Sequence, residues 1–131
     1  TDPTGEFSDA VNRRTIHRLW ARTGNNPLLE ALDCPDPSVA IARRPQTITP
    51  VQSLALINGS FSEHCAARFA ERVKQTAGDD FERQLTTAWS DAFGRSPTAD
   101  ERKTGLEFLR KRGLAELCLV LFNTNEFCFV E

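Results

Sequence analysis

The chain has 131 residues and a mass of 14.6 kDa, which is enough for one domain that buries about two-thirds of its unfolded surface. Its net charge of -2 and pI near 5.7 argue against a nucleic-acid binder, because such proteins are usually basic. No apolar stretch approaches the roughly 20 residues that cross a bilayer, and no signal segment opens the chain. Together these properties predict a soluble globular domain that does not insert into a membrane.

The two ends of the chain differ in composition. Residues 1–8 contain turn formers without apolar periodicity, so we expect a linker or a ragged end there. Residues 9–131 are expected to form a single helical domain. The absence of methionine suggests a fragment of a larger protein, and the apolar residues near the end suggest that this fragment is its C-terminal domain. The apolar residues Phe127, Phe129 and Val130 near the end are expected to pack against the core.

The apolar spacing of residues 8–23 predicts a first helix with a basic stripe. The stripe consists of Arg14, Arg18 and Arg22 at four-residue spacing, with Arg13 beside them. We favour a solvated helix face that pairs with nearby acidic residues. Binding of a polyanion through this stripe is the alternative.

A long proline-rich loop is predicted over residues 33–49, after a short helix that starts at Pro27. Such a loop has many backbone polar groups to satisfy. We predict that Arg43 and Arg44 bond its carbonyls and the carboxylates of Asp33 and Asp36. Ligand binding by the two arginines is the less favoured alternative.

Capping signals mark the helices that follow. Thr49 is a predicted N-cap and Pro50 a first helical residue, and Gly59 ends that helix. The next helix is predicted to run from Ser60 to Gly78. Its apolar residues recur every four positions: Phe61, Cys65, Phe69 and Val73.

The second half of the chain is also predicted to be helical. An amphipathic stripe from Phe81 to Phe93 ends at Gly94, and a capping box at Thr98–Glu101 starts another helix that Gly113 ends. A strongly apolar helix follows. Since no alternating pattern predicts a strand, the fold class is all-α: a compact array of about five to seven helices with one long proline-rich loop.

No catalytic, cofactor or metal site is predicted. Cys34, Cys65, Cys118 and Cys128 form no zinc or C-x-x-C-H motif, and a disulfide among them is left open. Glu63, His64 and Cys65 are consecutive. Because adjacent helical side chains point in different directions, these three cannot converge on one atom, and a catalytic role is not expected. The sequence also lacks a phosphate-binding glycine loop and a nucleophile elbow.

Six motifs resemble one known family. They are VNRRTI, NPLLE, DCPDP, RRPQTITPVQSLALIN, AFGRSPTADE and LFNTNEFCFVE. The chain resembles the C-terminal domain of unknown function in large planctomycete proteins that also carry cytochrome c-like domains.

The resemblance implies a module of a larger exported, periplasmic or cell-surface protein, with no cofactor in this chain and haem possible in other domains. Our leading hypothesis is a non-catalytic helical docking module that contacts neighbouring domains of the same polypeptide or a redox partner protein. The competing hypothesis is part of an enzyme active site, completed by another domain and lined by Arg43, Arg44 or His17.

Overall fold

The computed structural model describes residues 27–34, 40, 42 and 49–129. Within them lie seven helices and no strand, so the predicted all-α class is confirmed. The helices are α1 (Pro27–Ala31), α2 (Pro50–Asn58), α3 (Ser60–Ala77), α4 (Phe81–Phe93), α5 (Ala99–Arg112), α6 (Leu114–Phe122) and α7 (Asn125–Cys128). No helix in this part of the chain is both long and apolar enough to cross a membrane.

The chain divides into two compact units, residues 1–59 and residues 60–131. The first contains α1 and α2, which contact each other. The second contains α3 to α7. The expected single domain over residues 9–131 stays a prediction, and the predicted helix over residues 8–23 lies outside the described residues.

Both helices of the first unit start where the sequence predicts. Pro27 and Pro50 are first helical residues, where a missing N–H costs no hydrogen bond. After α1 the chain turns through Asp33, whose φ of 57° lies in the left-handed region. Aspartate tolerates this conformation better than most residues with a side chain.

Helix α3 buries only part of the predicted apolar stripe. Four-residue spacing advances by about 40° around a helix at each step, so the predicted stripe drifts across the surface. Phe69 and Val73 lie in the core, whereas Phe61 is 37% exposed and Cys65 is only half-buried. The buried face is completed by small residues: Ser62, Ala66, Ala70 and Ala77.

Caps set the bounds of α4 and α5. Asp80 accepts hydrogen bonds from the backbone of Glu82 and Arg83, and Gly94 ends α4 with a φ of 70°. Thr98 and Glu101 form both bonds of the predicted capping box. The connection between α4 and α5 is therefore defined at both ends.

The core of the second unit lies between α3, α4, α5 and α6. Its most completely buried large side chains are Val73, Leu85, Cys118 and Leu121. Gly105 of α5 lies against Leu85, and a Cβ atom built there would be 2.7 Å from Leu85 Cδ1. Glycine thus allows α5 to approach α4 closely.

The structure of the chain after α6 differs from the predicted one. A short helix, α7, forms there, which the sequence did not indicate. Phe129 is 54% exposed and Phe127 is 43% exposed, so the prediction that both pack into the core is wrong. Four residues of helix supply too few neighbours to cover them. Val130 lies outside the described residues.

Candidate functional site

Most of the residues predicted to organise the loop or bind a partner lie outside the described part of the chain. These are Arg13, Arg14, Asp36, Arg43 and Arg44. Their roles stay predictions, as does a role for His17. Asp33 is the one predicted residue whose surroundings the structure describes.

Asp33 belongs to a polar network at the start of α2. The side-chain amide of Gln52 donates to Asp33 Oδ2 over 3.0 Å, across 19 residues of sequence. Gln52 Oε1 also accepts from the backbone N–H of Thr49, and Thr49 Oγ1 accepts from the backbone N–H of Gln52, each at 3.3 Å. Gln52 therefore caps α2 and fastens it to the turn after α1.

Helix α2 also carries an exposed apolar face. Val51, Leu54 and Ile57 are 62%, 56% and 46% exposed, and they follow one another at three-residue spacing. None of the nine residues of the helix is buried or charged. An uncharged helix with this much exposed aliphatic surface is typical of a recognition surface.

A second cluster lies where α4, α5 and α7 meet. Arg95 follows α4 and donates Nη1 and Nη2 to the two carboxylate oxygens of Glu101, over 2.9 and 2.8 Å. It also donates Nε and Nη2 to the carboxylate of Glu126 in α7, over 2.8 and 2.7 Å. One guanidinium thus holds two carboxylates, both in bidentate geometry.

The charges of this cluster stabilise one another. Hydrogen bonds from Arg95, with the backbone N–H of Thr98, lower the pKa of Glu101 to about 2. The Arg95 hydrogen bond also lowers the pKa of Glu126. The two carboxylates raise the pKa of Arg95 in turn, Glu101 first. All three groups are therefore charged at neutral pH.

A row of aromatic rings lies beside the cluster. Phe127 of α7 has its ring centroid 4.9 Å from that of Phe122, and Phe122 lies 5.3 Å from Phe69 of the core. The guanidinium of Arg72 covers Phe69 at 5.1 Å. The row thus runs from the core to the exposed ring of Phe127.

The Arg95 cluster was not predicted from the sequence. Arg95 and Glu126 are separated by 31 residues, and a contact over such a distance has no periodic signature. The capping box predicted the position of Glu101 without indicating that arginine would bond its carboxylate. The sequence did offer one signal, since Arg95 lies in the AFGRSPTADE motif and Glu126 in the LFNTNEFCFVE motif.

A family model described as "PSD1: Protein of unknown function (DUF1553)" matches residues 3–109. The chain belongs to this family. The match covers Arg95 and Glu101, and it ends before Glu126 and the terminal motif. No curated protein and no solved structure shows significant similarity to this PSD1 family member.

The described cysteines and histidine of this PSD1 chain lie on separate helices or faces. Cys34 and Cys65 are half-buried, Cys118 is buried, and Cys128 is exposed; all four are free thiols. Burial raises the pKa of the Cys118 thiol to about 12. Within the described residues no three histidine, cysteine or acidic side chains are grouped as metal ligands would be.

Proposed function

We propose that this PSD1 chain is a helical docking module and that the apolar face of α2 is its docking surface. The observation that carries the proposal is the exposure of Val51, Leu54 and Ile57 on one uncharged helix. Such a face is not attracted to a polyanion. It suits a partner surface that is itself apolar.

The size of the face favours a partner in the same polypeptide. A stable interface between free proteins buries about 800 Å² on each partner and uses about 20 to 30 residues a side. A helix of nine residues falls well short of that. A tethered domain needs far less surface, since a short linker supplies an effective concentration in the millimolar range.

The capping network supports docking because its hydrogen bonds hold the first turn of the helix and join it to Asp33. Gln52 fixes the first turn of α2 and bonds Asp33. An ordered helix loses less conformational entropy on association than a mobile one. The apolar face is thus presented in a binding-ready form.

We further propose that the parent protein is exported and that its other domains include cytochrome c-like ones, as the resemblance implies. Haem would then be bound by those domains. This chain has no C-x-x-C-H motif for covalent attachment. No step of the proposed function uses haem.

Hydrogen exchange tests the docking surface. Amide exchange in residues 51–57 is compared between this chain and the parent polypeptide, and protection should be at least tenfold greater in the parent. Leu54→Asp should abolish the added protection. Thr104→Asp is the matched control and should leave the added protection unchanged, because it adds the same charge at an exposed position of α5, outside the apolar face of α2. Equal exchange in both proteins would refute the proposal.

A further inference from the structure

The last described segment, α7 and Phe129, is held to the second unit by few contacts. No residue of α7 is buried. Two side chains make its main attachments: Glu126 bonds Arg95, and Phe127 packs on Phe122. The Cys128 thiol adds a weaker bond to the Phe122 carbonyl at 3.3 Å. The segment is thus held mainly by one acidic and one aromatic side chain, as a short bound peptide would be.

The residues that receive Glu126 are positioned without it. Arg95 is fixed by its fork to Glu101 and by a bond to the Ser96 carbonyl at 3.2 Å. Glu101 is itself held by the backbone N–H of Thr98 at 2.7 Å. A carboxylate other than that of Glu126 would therefore meet the same oriented guanidinium.

The aromatic contact is positioned in the same way. The half-buried Phe122 ring rests on Phe69, which is only 9% exposed. The ring is thus anchored by a core residue, and it also contacts the ring of Phe127. An aromatic side chain from another segment would gain the same stacking contact.

We propose that Arg95 and Phe122 form a docking site for a peptide segment in which an acidic residue directly precedes an aromatic one. In this chain α7 is the built-in occupant, with Glu126 and Phe127 as the two contact residues. A partner segment carrying the same pair competes with α7 for the site. The chemistry follows from charge complementarity at Arg95 and ring packing at Phe122.

The exposure of these contacts makes exchange feasible. The Arg95 and Glu126 side chains are 37% and 46% exposed, so water and salt weaken their bond. The tether is nevertheless short: Asn123 and Thr124 join α6 to α7, and their side chains bond the carbonyls of Leu119 and Leu121. A competitor must therefore overcome a high local concentration of α7.

This site uses none of the α2 residues, so its test is independent of the proposed function. The probe is a fluorescein-labelled peptide, TNEFSFVE, which is residues 124–131 with serine for Cys128. Its anisotropy is measured during titration with the full chain. In the double variant Glu126→Ala/Phe127→Ala, which removes both contacts of α7, binding should be at least tenfold tighter than in the wild type.

A charge reversal identifies the arginine. Added to the double variant, Arg95→Glu should abolish binding of the acidic peptide and allow binding of the peptide with Glu126→Lys. Arg110→Glu is the matched control and should leave peptide affinity unchanged, since Arg110 is an exposed residue in the last turn of α5. Circular dichroism checks that each variant melts cooperatively.

Two results would overturn the inference. One is failure of the peptide to bind the cooperatively folded double variant, and the other is equal binding with and without Arg95→Glu. If Arg95→Glu does not fold, Arg95→Lys replaces it. The lysine keeps the charge but loses the fork, so unchanged peptide affinity would equally refute the proposal.

Discussion

Substituting Gly105 by alanine is expected to destabilise the second unit, although the same change stabilises most helices. Gly105 lies within α5 and is buried. In an ordinary helix interior, replacing glycine by alanine raises the free energy of unfolding by about 1 kcal/mol. Here the added Cβ would be 2.7 Å from Leu85 Cδ1 and 3.5 Å from Trp89 Cζ3.

Leu85 has little room to move away. It is fully buried, and Trp89 beside it is only 8% exposed. Forcing an extra methyl group into a packed core costs about 1–3 kcal/mol. After the gain in helix propensity, the free energy of unfolding should fall by roughly 0–2 kcal/mol.

Urea unfolding followed by circular dichroism at 222 nm measures this change. Thr104→Ala is the matched control, because Thr104 is the exposed neighbour of Gly105 in α5, and it should stabilise the chain by a few tenths of a kcal/mol. In a Leu85→Val background, which removes the Cδ atoms, Gly105→Ala should lose its cost and become stabilising. A gain of about 1 kcal/mol from Gly105→Ala with Leu85 intact would refute the close approach of α5 to α4.

Three further outcomes are expected. Because the folded pKa of Glu101 is about 2 against an ordinary 4.5, its contribution to stability is complete above about pH 4.5 and is lost as the pH falls towards 2; Arg95→Gln should reduce that acid loss, measured as Tm between pH 7 and pH 2. Gln52→Ala removes a cap bond and the bond to Asp33, so amide exchange in α2 should accelerate by an amount equivalent to about 1 kcal/mol. With Ellman's reagent, the exposed Cys128 should react rapidly and the buried Cys118 only after unfolding; native-state labelling of Cys118 would contradict the packing of α6.

The helices of the second unit could largely be predicted because their signals are local. Gly94 and the capping box of Thr98 and Glu101 lie within a few residues of the termini that they define. Such bonds depend on short sequence spacing alone. The same holds for Thr49 and Pro50 in the first unit.

The face of α3 could not be predicted as reliably. The sequence shows large apolar residues at four-residue spacing, but the neighbouring helices decide which of them is covered. Ala66 and Ala70 are buried, whereas Phe61 stays partly exposed. Alanine gives a weak hydrophobic signal, yet its small size allows close helix packing, so the buried face was underestimated.

The Arg95 cluster could be recognised only from the tertiary structure. Glu101 was predicted as a capping residue, and that role is confirmed by its bond to the Thr98 backbone. Its second role, holding Arg95, depends on the path of the chain between α4 and α5. The position of Glu126 depends in addition on α7. This helix has only four residues, which is too short for apolar periodicity to reveal it.

The electrostatics of this cluster favour recognition over proton transfer. An acid–base catalyst needs a pKa near the working pH. Here the contacts act in the opposite direction, since Arg95 lowers the pKa of Glu101 to about 2 and also lowers that of Glu126. The carboxylates raise the pKa of Arg95. A guanidinium fixed in its charged form and oriented by one carboxylate is suited to binding a second carboxylate, which is the role that Glu126 fills within this chain and that we propose for an acidic residue of a partner.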